Sequence, residues 1–361
     1  MDSYPREAQQ ASAVTVDSLA GRPLSRQEWV PMSPPRRRLV GGLDLGGTKI
    51  QAVVLDGRRS VVGQARSATP TTDGAHDVVL ALVSTMGSAC ADAGIEMADL
   101  AGVGVGSPGA IDTRRGVVTG ARNLPGEGAP IQIAAGLKTL ADTRAYVDND
   151  VTVGVNAEYV LGAARRSKSL LGVWWGTGVG GGLVLHGEPW EGRGAAGELG
   201  HVVVKIDGAE CTCGRRGCME AYAGRGAMEI RARRLHKRGR KTDLFKIMEK
   251  RGRTRLTSGV WARALEHEDE LAIELVERAL GALGAGIASA VNVLDVETVV
   301  VGGGLGTRLG EPYVQRIREA MQPHLFQDQH PPRVALAELG DLGGAIGAAL
   351  LVPPGNPGRK R

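Results

Sequence analysis

Two stretches of this chain repeat one pattern: an apolar strand, a glycine-rich turn and a second apolar strand. The first, LVGGLDLGGTKIQAVVLD, runs from Leu39 to Asp56, and the second, LLGVWWGTGVGGGLVLHG, from Leu170 to Gly187. Each reads as a β-hairpin. Each also continues into mixed helix and strand, so the recurrence predicts a duplicated α/β architecture of two lobes with a cleft between them. With 361 residues, 42% of them hydrophobic, both lobes can bury a core. The 54 glycines follow no G-X-Y period, which excludes a collagen-like chain.

Between the hairpins the pattern predicts a helix near Asp77 to Ala93 and a buried-strand run, LAGVGVGSPGAID, from Leu100 to Asp112. The strand AYVDND, Ala145 to Asp150, feeds VTVGVNAEYVLGAA, whose Val151, Val155, Tyr159 and Gly162 recur at a helical period. That puts Asp150 at the helix N-cap. Further on come helices near Ala262 to Val291, the strand ETVVVGGGLG from Glu297 to Gly306 and a terminal helix near Leu342 to Leu351.

Residues 1–38 are polar, carry five prolines and end in Arg36-Arg37-Arg38 with no apolar core segment, as in a disordered extension and unlike a signal peptide. The tail PPGNPGRKR reads as loose. LGALGAGIASAV, Leu280 to Val291, is too short and glycine-rich to span a bilayer. The expected location is the cytoplasm. There, the C-x-C-x4-C of Cys211, Cys213 and Cys218, ten residues after His201, points to a held metal more than to a disulfide. Cys90, alone in the first predicted helix, reads as core.

Glycine lets a backbone approach an anion closely and aim N–H groups at it, so DLGGT and GTGVGGG read as two phosphate cradles. One such turn alone would as readily be structural. Neither is a P-loop or a dinucleotide fingerprint. Asp44, before the first turn, could hold Mg2+ or simply close the turn. Asp150, beside Asn149, would be kept ionised by the helix dipole or would serve only as a cap. Phosphoryl transfer needs an acid of each kind, one at the metal and one to take the proton of the attacking hydroxyl. The net charge of +5 is uneven: Arg231 to Arg255 holds twelve Lys/Arg against Asp243 and Glu249. A solvated helix face plus loop accounts for this, and so does a polyanion site. Phe245 is its one aromatic residue, so stacking on single strands has little support.

In order, DLGGTK (Asp44 to Lys49), SPGAID (Ser107 to Asp112), NLPG (Asn123 to Gly126), DND (Asp148 to Asp150), GTGVGGG (Gly176 to Gly182), GELGH (Gly197 to His201) and CTCGRRGCME (Cys211 to Glu220) resemble the ROK family. This is the repressor, open-reading-frame and kinase group of the actin-like sugar kinase superfamily, and the likeness covers about Leu39 to Val352. It implies an α/β, two-lobed actin-like (ribonuclease H-like) ATPase fold with a cleft between the lobes and a structural zinc site. Residues 39–147, joined by the C-terminal helix 342–352, would form the small lobe and 148–341 the large one, flanked by the 1–38 extension and the 353–361 tail.

The same resemblance implies that His201, Cys211, Cys213 and Cys218 ligate one Zn2+, a set that closes the shell and leaves no open position for substrate. Glu198, His201 and Glu220 would reach the sugar hydroxyls, with zinc orienting His201 through its other ring nitrogen. Asn123, Asn149 and Asp150 would also contact the sugar, Asp150 as general base for the 6-hydroxyl. Asp44 would position Mg2+. Gly46, Gly47, Thr48 and Lys49 in the first turn, with Gly176, Thr177 and Gly178 in the second, would take the ATP phosphates, and Gly302, Gly303 and Gly304 would lie near the nucleoside. The implied activity is an ATP-dependent sugar kinase. NLPG and CMEAY lean toward glucokinases, although N-acetylhexosamine and other hexose kinases share most motifs, and the basic segment leaves inorganic polyphosphate open as a donor. The family's regulators carry an N-terminal DNA-binding domain, for which the proline-broken 38 residues offer no pair of helices. No DNA or membrane partner is expected, and the family is commonly dimeric or tetrameric.

Overall fold

The computed structural model describes residues 38–71, 74–121, 124–125 and 128–354. The expected extension before Arg38, most of the expected tail, and Asn123 and Gly126 of NLPG lie outside the described residues.

The first hairpin forms as its two apolar runs and glycine turn predict: β1 (Leu39–Leu45) and β2 (Lys49–Leu55) pair antiparallel, Leu45 opposite Ile50. β3 (Val61–Ala68) extends the sheet beside β2, α1 (Ala75–Asp92) crosses it, and β4 (Leu100–Ser107) returns parallel to β1. A small sheet of β5 (Ala110–Asp112), β6 (Val117–Thr119) and β7 (Ile131–Gln132) precedes α2 (Ile133–Ala141). β8 (Ala145–Asn149) then joins β4 in parallel, giving the order β3-β2-β1-β4-β8.

From β8 the chain enters α3 (Asp150–Val160) and reaches the second hairpin, β9 (Leu170–Trp175) with β10 (Val179–Leu185), edged by β11 (Glu188–Pro189). Five helices follow: α4 (Glu220–Ala223), α5 (Arg225–Lys237), α6 (Leu244–Lys250), α7 (Ser258–Glu266) and α8 (Glu270–Leu294). After them come β12 (Thr298–Gly302), α9 (Gly303–Leu309), α10 (Glu311–Met321), β13 (Arg333–Leu336) and α11 (Gly343–Ala349). The second sheet runs β11-β10-β9-β12-β13, three antiparallel strands and then two parallel ones, as in the first sheet. The duplication predicted from the hairpins is therefore a duplication of whole sheets.

One predicted element is corrected. The strand expected over Glu297 to Gly306 stops at Gly302, and Gly303 opens α9. Gly303 has φ +79°, and a side chain there would press on the backbone of Trp174 and Trp175. An apolar run ending in glycines does not by itself distinguish a hairpin turn from a helix start.

Each sheet has its own core. Leu43, Val54, Val103 and Val147 pack with Val78, Leu82 and Met86 of α1, where Cys90 is only 1% exposed, as its reading as core requires. Val173, Val299 and Val301 pack under the helical layer through Trp261, Leu275, Leu283 and Ile287. α3 and α11 lie between the sheets. Ala157 of α3 meets Ala345, Ile346 and Ala349 of α11 over Val53 and Leu55, while Val155 faces Leu170, Val184 and Val300. Such close approach needs strands without side chains. A methyl group on Gly42 or Gly104 would run into the carbonyl oxygens of Ala345 and Ala348. Glu158, 2% exposed, fixes the arrangement: its carboxylate accepts N–H bonds from Ala163 (2.8 Å), Glu338 (3.1 Å) and Leu339 (2.9 Å), tying α3 to the segment before α11. Among the described residues, no helix is long and apolar enough to cross a membrane.

Candidate active site

The site begins where β8 becomes α3. Asn149, not Asp150, is the N-cap: its side-chain oxygen accepts the N–H groups of Val151 (3.0 Å) and Thr152 (3.2 Å), whereas Asp150 is already the first helical residue. Asp and Asn cap almost equally well, so consecutive candidates leave the sequence reading one residue uncertain. The displacement matters for chemistry. Among the described residues the Asn149 side-chain amide remains free to donate, and the Asp150 carboxylate is bound only by the N–H of Val151 (3.0 Å) and its own. Burial raises the Asp150 carboxyl above the usual range, with those N–H groups pulling back, which brings a base nearer to working pH. Burial also raises Asp148, whose oxygen accepts the N–H of Asn149 (2.7 Å).

Asp150 lines a cavity of about 930 Å³ together with Asp44 and Lys49. Asp44 sits near the end of β1, where burial and then the charge of Asp150 push its carboxyl up to about 6 against the pull of Lys49. Lys49 also reaches Asp341 at 3.5 Å. Gly344 of α11 faces the Asp44 carboxyl so closely that a side chain would displace it. The far wall is Ser258, Gly303 and Gly304 with Arg251, Arg253 and Arg308. A carboxylate whose ionisation is opposed by burial and a like charge is stabilised by a cation, and a wall of guanidinium groups suits an anion. Asp44 thus fits Mg2+, and this cavity fits a phosphorylated donor.

Asn149 and Asp148 line a second cavity, of about 400 Å³, with Glu198, Asn156, Thr152 and Glu191. Its carboxylates and amides suit a polyhydroxylated ligand. Two consecutive residues therefore face two different cavities.

The cysteines come together as predicted, without a disulfide: all four are free. The Nδ1 of His201 and the three sulfurs of Cys211, Cys213 and Cys218 lie within 4.8 Å of one another. Two edges of this group are 3.7 Å (His201 to Cys211) and 3.8 Å (Cys213 to Cys218). A tetrahedron with metal–sulfur bonds of about 2.3 Å has edges of about 3.8 Å, so the residues fit a four-ligand metal. The other ring nitrogen of His201, Nε2, points to Glu198 at 3.8 Å, as expected if the metal orients the ring toward the second cavity.

Other predicted residues lie elsewhere. Glu220 does not join Asn149 and Glu198: one carboxylate oxygen accepts the N–H of Val179 (2.9 Å) and the other the Thr212 hydroxyl (3.2 Å). It lines a third cavity, with Thr177 and Gly178. The second glycine turn is stapled to α5, since Arg225 donates to the Thr177 hydroxyl at 2.7 Å and its backbone to Gly176 at 3.1 Å. Gly46 closes its own turn through the carbonyl of Lys49 (2.9 Å) and, with Gly47, Thr48 and Gly302, lines none of the three cavities, whereas Gly303 lines the first. The basic segment divides. Arg233 and Arg255 share the buried carboxylate of Glu229, and Arg251 and Arg253 face the donor cavity. Sequence reasoning missed Arg225, Arg308, Asp341 and Gly344, and no local signal marks any of them.

The pattern of the ROK family matches residues 40–354. The chain is 29% identical over 326 residues to a glucokinase of Thermotoga maritima, covering 88% of this chain and 98% of that one. It is 32% identical over 323 residues to an N-acetyl-D-glucosamine kinase of Pectobacterium atrosepticum (86% and 97%). A ROK family glucokinase from Streptomyces griseus, solved with glucose and AMPPNP, superposes with a TM-score of 0.72 at 28% identity, covering 87% of this chain and 98% of that one.

Proposed function

This chain belongs to the ROK family, and from that premise we propose that it is a sugar kinase moving the γ-phosphoryl group of ATP to the 6-hydroxyl of glucose. The observation that carries the reading is the junction at the start of α3, where Asp150 lines the donor-sized cavity and Asn149 the smaller polar one. A hydroxyl held by Asn149, Asp148 and Glu198 would meet the end of a phosphate chain held by Lys49 at that point. Mg2+ on Asp44 would supply charge neutralisation for the triphosphate when bound. Asp150 would take the hydroxyl proton as the oxygen attacks phosphorus, the oxygen–phosphorus bond to ADP would break, and the proton would later leave to solvent. His201, held by zinc through Nδ1, would orient the sugar through Nε2. Zinc held by these four residues would have no open position, so its role would be to fix the loop, not to act as a Lewis acid.

NLPG and CMEAY favour glucose, and the N-acetylhexosamine kinases among the relatives make an N-acetylated sugar the alternative. A second donor has a specific observation behind it. Arg251, Arg253 and Arg308 line the donor cavity, and the Arg253 and Arg308 side chains hold no acceptor among the described residues. They suit a polyanion longer than a triphosphate, such as inorganic polyphosphate. The test is a coupled assay over glucose, mannose, N-acetylglucosamine, N-acetylmannosamine and fructose with Mg-ATP, repeated with polyphosphate. Preference for glucose supports the reading, and preference for an N-acetylated sugar moves the specificity. Asp150→Asn should abolish turnover while leaving sugar binding intact, and an active variant would refute the mechanism. No turnover on any sugar with zinc bound would reopen the sugar-sensing regulator.

A further inference from the structure

The third cavity, of about 970 Å³, shares no lining residue with the other two. It opens between α5, α8 and the cysteine loop, and six cationic side chains line it: Lys205, Arg216, Arg231, Arg234, Arg255 and Arg278. Three carboxylates also face it, but two are committed, Glu210 to Arg216 at 2.8 Å and Glu220 to the N–H of Val179 at 2.9 Å. Asp207 is the third. Among the cations, Arg255 is held by Glu229 at 3.2 Å and Arg278 lies over the ring of Tyr222 at 4.5 Å. The side chains of Lys205, Arg231 and Arg234 have no ion pair or hydrogen bond among the described residues, and the Nε of Arg231 is buried without an acceptor.

Arg231 and Arg234 are one turn apart on the same face of α5, so their charges repel, and Arg278 closes on them from α8. A buried guanidinium donor without an acceptor is costly in a fold. A phosphate group removes both costs, because its oxygens accept from several guanidinium forks at once. Gly208, Gly226 and Ala227 in the walls leave room for more than a bare ion. We propose that this cavity binds a small phosphorylated anion and that its occupancy is felt at the active site. The route is short. Thr177 and Gly178 of the second glycine turn line the cavity, Glu220 holds that turn through Val179, and Cys211 and Thr212 of the metal loop form another wall. The effect on turnover rests on the kinase reading, whereas the binding does not.

The test is calorimetric titration of the full chain, zinc-loaded and saturated with magnesium, a non-hydrolysable ATP analogue and glucose, to fill the donor and sugar cavities. The probes are inorganic phosphate, pyrophosphate and glucose 6-phosphate. The expected result is one binding event that weakens at least tenfold in Arg231→Ala/Arg234→Ala and measurably in the exposed single variant Arg234→Gln, both retaining the wild-type melting temperature. Binding of glucose 6-phosphate alone identifies a sugar phosphate as the ligand, and binding of all three a general phosphate site. Failure of all three probes to bind, or binding unchanged in both variants, overturns the proposal. If the best-bound probe changes the sugar KM and kcat of the wild-type enzyme no differently from those of Arg231→Ala/Arg234→Ala, the link to the active site falls. If no sugar is turned over, the titration still decides the binding and only the kinase reading fails.

Discussion

Replacing Asp44 by asparagine should make the fold more stable at neutral pH while removing the activity it serves. The Asp44 carboxyl titrates at about 6 in the fold against 3.8 in a free chain, because burial and the charge of Asp150 oppose its ionisation. At about 1.4 kcal/mol per pH unit, holding it ionised costs the fold about 3 kcal/mol above pH 7. The folded value is raised, so the native state binds the proton more tightly: the contribution of Asp44 to stability is fully present below pH 3.8 and is lost as the pH rises through about 6. Asparagine carries no charge to penalise. Urea melts of wild type and Asp44→Asn, without magnesium or nucleotide, should show the variant's relative stability rising by about 2 kcal/mol between pH 4.5 and 7.5. A constant offset from the new amide, or acid loss of the bound metal, cancels in that change. Turnover with Mg-ATP should fall on the order of 100-fold or more. A stability difference that does not vary with pH, or one that shrinks toward neutral pH, would refute the reasoning.

Three further outcomes are expected. Glu158→Gln replaces an acceptor of three backbone N–H groups with a side chain that can satisfy only some of them, so it should destabilise the fold by about 3 kcal/mol in urea melts. It should also shift the ATP KM, because Asp341 and Gly344 follow directly on the anchored segment; an unchanged melt would count against the clamp. Cys213→Ser should lower bound zinc, measured by elemental analysis, from one ion per chain to none; retention of a full equivalent would rule out the four-ligand set. Burial raises Asp150, so kcat/KM should fall on acidification through a limb above the ordinary carboxylate range, and a limb at or below about pH 4 would speak against Asp150 as base.

What the sequence makes legible is what lies close together in it. Each hairpin is local, and its strands and glycine turn follow from two apolar runs about a glycine turn over fewer than twenty residues. His201 and the three cysteines are also near neighbours, so their spacing announces a metal. Asp44 and Asp150 are marked by the turns and helix beside them, although the cap between Asn149 and Asp150 turned on backbone geometry that both residue types allow. The donor cavity's far wall is different. Arg251 and Arg253 read as part of a surface charge run, because only the fold turns them toward Gly303 and Asp44. Glu158 looks like an ordinary helix carboxylate until the chain returns, 180 residues later, to present the N–H of Glu338. Gly42 and Gly104 count toward a high glycine content, and only the packed α11 shows what each makes room for.

That packing also sets a schedule for biosynthesis. β1 leaves the ribosome early, yet the helix that seals one face of its sheet begins only at Gly343, 303 residues separating Gly42 from Ala345. At roughly 5–20 residues per second, translation leaves Val53 and Leu55 without that cover for roughly 15–60 s. During that interval the nascent first lobe presents an apolar, side-chain-poor sheet face to solvent and to chaperones. A message truncated before α11 would yield a chain that holds both glycine turns and the cysteine loop but cannot finish the lobe it started with.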